Sequence, residues 1–384
     1  MRIAVVNPRG YLDSPEKWMP LGAVTVATVL RAEGHNVRLH DEETFPAGYT
    51  AEEIGSILEW ADVLCLSGMS HQVAGIHRWI SDGLSAGVKV VVGGIHASLC
   101  ARPADEFLGT TVVCGPGEEQ VLNALQVGPG IVIRSEPLKD LDKHPWPSRE
   151  GFGWSRYREM VEGIPAIRVV GSRGCPFSCK YCCNKRLSGR KLALRSPYDV
   201  ADEISGAMKA LGIRAVVFAM ADFTIDKQWA RDMCKELRQL GVLWKATTRV
   251  DLIDLETIRR MKIANCIGLG FGVESGDDDV LRILGKGTTC ARARKAFDMC
   301  ARVGLPSWAM FMTHVPGETP DTLARTKQFA RELDPPLGCT FQRFSPLPGS
   351  AFWDEIGKWG VVAGRKGRGF GPVSFTPHAF VGKE

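Results

Sequence analysis

What the 384-residue chain lacks narrows its reading before any motif is considered. No apolar run reaches the roughly 18 residues of a membrane-spanning helix, so no membrane partner is expected. The net charge is only +5 and no Lys/Arg block stands out, so nucleic acid is not implied, though an anionic cofactor would be welcome. The opening residues, Met1 to Gly10, carry one positive charge, Arg2, before a short apolar run. They read as a first β-strand, not a secretion signal, and a cytoplasmic location is expected. Without a secretory context the 12 cysteines read as thiols, not as a disulfide framework. Most, such as Cys65 and Cys266, lie inside apolar runs and read as small buried hydrophobes. No short internal repeat or low-complexity tract appears.

What is present is strand–helix alternation, in two stretches. In residues 1–135, short Val/Ile-rich runs at 2–6, 62–67, 88–92 and 111–114, with a weaker one at 36–40, alternate with helical spacing at 21–33, 51–60 and 72–86. Near-continuous apolar strands between helices predict a parallel sheet covered on both faces, a doubly wound Rossmann-like domain. Residues 136–165 break the pattern with prolines, glycines and two tryptophans, and read as a linker. From 166 to 345 six strand–helix units follow, with strands expected at 166–171, 213–219, 243–248, 266–272, 305–313 and 338–344. Six units are too few for a closed eight-stranded barrel, so a partial (β/α)6 TIM-type barrel is expected, with a tail at 346–384.

The exceptional cysteines stand in Gly171-Ser-Arg-Gly-Cys175-Pro-Phe-Ser-Cys179-Lys-Tyr-Cys182-Cys183, directly after the first barrel strand. Barrel active sites are assembled at that carboxyl end. Three thiolates spaced C-x3-C-x2-C can hold three corners of a [4Fe–4S] cubane and leave the fourth iron open, whereas ferredoxin clusters take four cysteines. Structural zinc usually wants four ligands in other spacings. Cys183 does not fit the ligand spacing and reads as packing.

With its aromatic residue before the last cysteine, Tyr181, this segment resembles the signature of the radical S-adenosylmethionine (SAM) superfamily. The resemblance implies that the open iron chelates SAM and that one electron cleaves it to a 5′-deoxyadenosyl radical. It further implies SAM contacts at Tyr181, at Asp222 as acceptor for the amino group, at Arg249 for the carboxylate, and at Glu274 and Ser275 toward the ribose. Asp222 departs from the Gly-Gly-Glu form of many members. Pro316-Gly-Glu-Thr and Pro346-Leu-Pro-Gly-Ser also resemble family landmarks.

The first domain resembles cobalamin-binding domains through Leu66-Ser67-Gly68, Val92-Gly93-Gly94 and Cys114-Gly115-Pro-Gly-Glu118. Glycine at these strand ends is read as leaving room for a bulky planar ligand. The D-x-H-x-x-G motif that supplies a cobalt-ligating histidine is absent between Asn7 and Pro20, as in the cobalamin-dependent radical SAM subfamily. By that resemblance Ser70, His71 and Gln72 lie beneath the ring, His71 hydrogen-bonding rather than ligating.

The subfamily implies an enzyme, a C-methyltransferase that moves a methyl group from SAM via methylcobalamin to an unactivated carbon. A small-molecule substrate and an electron donor such as flavodoxin or ferredoxin are the expected partners. Cyclisation, ring contraction or another rearrangement with the same cofactors is the rival. A non-enzymatic cluster or corrinoid sensor is a further one. Methylthiolation of tRNA fits less well, because the opening loop has no cysteine.

Overall fold

The computed structural model describes residues 1–10, 18–45, 47–151, 153–157 and 159–355. Most of the opening loop and the basic tail at 364–369 lie outside them. The chain divides into two compact units, one of residues 1–159 with 186–188, the other of the remaining described residues.

In the first unit β1 (Arg2–Asn7), α1 (Leu21–Ala32), β2 (Asn36–Asp41), α2 (Ala51–Trp60), β3 (Val63–Ser67) and α3 (Val73–Ser85) alternate. They are followed by β4 (Lys89–Gly93), α4 (Gly94–Leu99), α5 (Pro103–Glu106), β5 (Thr111–Cys114), α6 (Val121–Gln126) and β6 (Val132–Arg134). The strands form one parallel sheet in the order β2-β1-β3-β4-β5-β6. The pattern behind the doubly wound expectation is visible on β1. Ile3 and Val5 enter a core shared with α1 and α6, while Ala4 and Val6 enter a second core with α2 and α3. The sixth strand was not expected: three residues are too few to carry a pattern. Strand order reverses between β1 and β3, and ligands of such sheets bind at the carboxyl ends beside that point.

In the second unit β7 (Met160–Val161) pairs antiparallel with β8 (Ile164–Val169). A ribbon of β9 (Ser172–Arg173) and β10 (Ala193–Leu194) brackets the cysteine segment and α7 (Asn184–Ser188). There follow α8 (Pro197–Leu211), β11 (Ala215–Phe218), α9 (Lys227–Leu240), β12 (Leu243–Arg249), α10 (Leu255–Ile263) and β13 (Cys266–Glu274). The last elements are α11 (Asp278–Ile283), α12 (Cys290–Val303), β14 (Ser307–Thr313), α13 (Pro320–Leu333), β15 (Cys339–Arg343) and α14 (Ala351–Asp354). The sheet runs β15-β14-β13-β12-β11-β8-β7, parallel except for β7, with β15 and β7 as unjoined edges. It is the open six-unit barrel expected.

Local chemistry enforces this repeat. Ser196, Asp226, Asp254, Thr289 and Thr319 each cap a helix by accepting a backbone N–H. Gly212, Gly241 and Gly304 end α8, α9 and α12 in the left-handed conformation. On β13, Leu269, Phe271 and Val273 are buried behind the sheet. The alternate positions are Gly268, Gly270 and Gly272, and the Trp308 ring lies over the first two: a Cβ on Gly270 would meet it at 2.3 Å.

Gly94, directly after β4, has a cause besides ligand room. Gly94 has φ +89°, and a Cβ there would lie 2.7 Å from the Gly68 nitrogen and 2.9 Å from its oxygen. Gly94→Ala is therefore expected to destabilise the first unit by on the order of 2 kcal/mol. A lowered urea midpoint with unchanged slope would show it; an unchanged midpoint would contradict it.

Candidate active site

The cysteine segment leaves the barrel through Gly174, whose φ is +86° and whose Cβ would strike the Lys191 carbonyl oxygen at 1.9 Å. Glycine is obligatory there. Beyond it the loop is tied from outside. Lys180 N–H donates to the Leu284 carbonyl at 2.9 Å, and Phe352 N–H donates to the Lys180 carbonyl at 3.1 Å. Ser350, from the Pro346–Ser350 landmark, caps α14 and so presents that Phe352 amide. Val280, Leu284, Val315, Phe344 and Phe352 form a small separate core on which Tyr181 packs. In the other landmark, Glu318 accepts the His314 N–H and Thr319 caps α13.

The donor set fits an iron–sulfur cluster. Cys175 and Cys179 are half-buried and Cys182 is exposed, whereas Cys65, Cys114, Cys234, Cys266 and Cys300 are buried. Asn184 N–H lies 3.4 Å from the Cys182 sulfur and Arg249 Nη1 3.6 Å from the Cys179 sulfur, donors suited to a thiolate. Among the described residues, no three His, Cys, Asp or Glu side chains gather to hold a single ion. A cubane instead takes each thiolate on a different iron. Cys183 is half-buried and N-caps α7 through its backbone, with no side-chain cap bond.

Around the thiols lies a charged layer. Glu274 ends β13 with φ +70°, beside an irregularity in the β13–β14 pairing that turns its side chain. Its Oε1 accepts from Tyr181 Oη at 3.1 Å and from Lys286 Nζ at 2.9 Å, and Lys286 also donates to Tyr181 at 3.1 Å. Burial, and then the Glu274 charge, push the Tyr181 phenol well up, so it stays a donor. Arg249 donates to both carboxylate oxygens of Asp251, at 3.0 and 2.8 Å, and to the Lys286 carbonyl at 2.6 Å. It also stacks on Phe177 at 3.9 Å. Its two-donor fork is thus taken up within the protein.

Asp222 is buried, and burial pushes its carboxyl up to about 7 despite the nearby Lys286 and Arg249 charges. Its charge acts on both Cys175 and Cys182, so it borders the cysteine loop. A carboxyl so placed suits an incoming ammonium group. Ser275 is fully buried, bonded to Thr326 at 3.0 Å and to the Asp277 N–H at 3.2 Å, which separates it from the Tyr181–Glu274–Lys286 group. Sequence reasoning passed over Lys286 and Asp251. Lys286 stands in Gly285-Lys-Gly287, which reads as an ordinary turn, and both glycines do have positive φ.

In the first unit Ser67 and Gly93 are paired at the ends of β3 and β4, and a Cβ on Gly93 would have ordinary room. Gly94, by contrast, is demanded by Gly68, and Gly115 (φ +98°) by the Ser135 carbonyl 2.8 Å from its Cβ position. Glu118 is buried in the turn before α6. Gln72 is buried and bonded to Asn7, the Pro8 carbonyl, Glu43 and the Met69 N–H. His71 lies 3.7 Å from Glu43 and would meet a Cβ on Gly10. Ser70 lies beside them on the turn after β3. The fit to a planar cofactor is an open Gly93 beside the Ser67 hydroxyl at the reversal point of the sheet.

An open parallel half-barrel with three accessible thiols after its first strand, preceded by a doubly wound unit, is the architecture of a radical SAM enzyme with a corrinoid domain. Residues 169–330 match the model of the Radical SAM superfamily, and residues 12–125 match that of the B12 binding domain. The chain thus joins a B12 binding domain to a Radical SAM domain and is homologous to cobalamin-dependent radical SAM methyltransferases. An uncharacterised methyltransferase of Pyrococcus horikoshii is 27% identical over 363 residues, spanning 87% of this chain and 78% of the relative. The anaerobic magnesium-protoporphyrin IX monomethyl ester cyclase of Rubrivivax gelatinosus is 25% identical over 394 residues, spanning 93% of this chain and 70% of the relative. The methyltransferase TsrM of Kitasatospora setae, solved with cobalamin and a [4Fe–4S] cluster, shares the fold with a TM-score of 0.77 at 17% identity, over 93% of this chain and 74% of that one.

Two outcomes follow from the charged layer. Lys286→Gln leaves the Glu274 carboxylate buried without its cation, an expected loss of roughly 3 kcal/mol in denaturant unfolding; a loss under ~0.5 kcal/mol would contradict the ion pair's role. The Asp222 carboxyl titrates near 7 in the folded apoprotein and near 3.8 unfolded, so the folded state holds the extra proton between these values. Stability contributed by that proton is present below about pH 4 and is lost as pH rises toward about 7. Asp222→Asn should flatten that slope relative to the parent; identical slopes would refute the assignment.

Proposed function

We propose that this enzyme is a C-methyltransferase that moves a methyl group from SAM to an unactivated carbon of a small substrate. The observation that supports it most is the joining, in one chain, of a solvent-accessible C-x3-C-x2-C loop to a B12-binding domain, in a protein homologous to methyltransferases. When bound, the cluster and SAM supply a hydrogen-abstracting radical, and cobalamin supplies the methyl group.

Cys175, Cys179 and Cys182 are proposed to hold the cluster, with Arg249 and the Asn184 amide steadying the thiolates. Asp222 is proposed to accept the SAM ammonium, which would draw its proton off. Tyr181, Glu274 and Lys286 form the polar wall for the rest of SAM. Ser275 is proposed to act there only through the backbone it anchors. In the first domain Ser67, Gly68, Gly93, Gly94, Gly115 and Glu118 are proposed to receive cobalamin from one side, and Ser70, His71 and Gln72 from the other. Trp308, whose ring lies over the glycine strip of β13, is proposed to bound the space for a substrate. We further propose a cytoplasmic enzyme served by a flavodoxin or ferredoxin, acting on neither nucleic acid nor membranes. Among the described residues no helix is long and apolar enough to cross a membrane.

The cyclase relative favours a second reading, a rearrangement with the same cofactors and no methyl transfer. Anaerobically reconstituted, reduced full-length protein with methyl-labelled SAM separates the two. Release of 5′-deoxyadenosine with label in the product is expected; deoxyadenosine without label would leave the rearrangement, and neither would overturn both. Cys179→Ala should reduce deoxyadenosine to background.

A further inference from the structure

Outside the residues given a role above lies a buried polar chain behind the β3 and β4 loops. His96, on α4, is 1% exposed. Its Nδ1 lies 3.0 Å from Ser70 Oγ and its Nε2 2.9 Å from Glu106 Oε1. Glu106, on α5, also has His77 Nε2 at 3.7 Å and accepts the Cys100 thiol at 2.8 Å. Burial pushes the Glu106 carboxyl up, but bonds from His77, His96 and Cys100 outweigh it and hold it well below the usual carboxylate range.

The directions of these bonds follow when Glu106 is ionised and His96 is the neutral imidazole. An ionised carboxylate only accepts, so His96 Nε2 carries the hydrogen given to Glu106. A neutral imidazole with Nε2–H presents Nδ1 as an acceptor. Ser70 must then donate its hydroxyl hydrogen to Nδ1. A serine has one hydrogen, so its oxygen has only lone pairs left to offer. Ser70 is half-buried at the turn after β3, at the carboxyl end beside the sheet's reversal point, while His96 and Glu106 stand behind it. The His96 N–H bonds the Gly68 carbonyl at 3.0 Å, which fixes the ring's element to the β3 loop.

We propose that Glu106 and His96 make Ser70 an acceptor-only contact, which takes an N–H or O–H donor from the corrinoid. Ser70 is the binding residue; His96 and Glu106 are positioning residues that act through it. The assignment rests on the cobalamin reading above. The donor is either an amide on the rim of the cofactor or a water on its metal.

Titration of the full-length protein with hydroxocobalamin, with thermal melting as a folding control, tests this. Ser70→Ala and His96→Phe should each weaken binding roughly fivefold, the effect of one hydrogen bond. The double variant should be no weaker than Ser70→Ala alone, because His96 acts only through the hydroxyl. Ser70→Thr, which keeps the hydroxyl, should bind like the parent. Parental affinity in Ser70→Ala overturns the proposal, and so does a double variant near the roughly 25-fold product of independent effects. Should His96→Phe fail to fold, Ser70→Ala and Ser70→Thr alone still decide it. A shift of the bound cofactor's visible bands in Ser70→Ala identifies the donor as metal-bound water, and unchanged bands identify an amide. No binding by the parent would instead overturn the cobalamin reading, and this proposal with it.

Discussion

Everything in the second unit depends on how a loop with its thiols in the open is kept in place. Such a loop cannot bury its own side chains, so its backbone must be gripped by neighbours. Here Arg190 donates to the Pro176 carbonyl and to Ser178, and Lys180 has its N–H and carbonyl both bonded to distant elements, the end of α11 and the start of α14. Either Lys180 bond alone contributes little net, about 1 kcal/mol, but together they fix the two successive peptide units that flank Lys180, between Cys179 and Cys182.

Charge around the loop is arranged in a layer of alternating sign. Lys286 joins Glu274 and Tyr181, and its own carbonyl receives Arg249, which is in turn held by Asp251. Two cations and two carboxylates are thereby balanced within the protein. Asp222 is the carboxyl left out of these pairs, and its raised titration reflects that. A buried acid without a cation of its own is a receptor for one.

Much of this architecture was legible from the chain. Strands and helices announced themselves because each barrel helix opens on a capping side chain and three close on glycine. The thiol loop was legible because its spacing is rare and its place after a strand is meaningful. What escaped notice was short or dependent on distant partners. β6, β7 and the β9–β10 ribbon have two or three residues each, below the length at which alternation can register. Lys286 and Asp251 gain meaning only from partners far along the chain or from the curl of the barrel. At Gly94 and Gly115 a second demand for glycine lies hidden in the sequence, since the protein's own backbone already forbids a side chain there. Arg249, expected to pair with the SAM carboxylate, has its fork bonded to Asp251 two residues along the chain.

The flat Trp308 ring over the glycines of β13 has a bearing on how such a chamber can change over time. Volume that Gly270 gives up by having no side chain is filled again by one indole rooted on β14, while Leu337 and Lys245 share the space at Gly268 and Glu274 and Lys286 cover Gly272. Trp308 therefore governs how much of the space beside Gly270 stays open. A lineage could deepen or shallow the space for its substrate by exchanging that one residue. The machinery that makes the radical would pass from one substrate to the next unaltered.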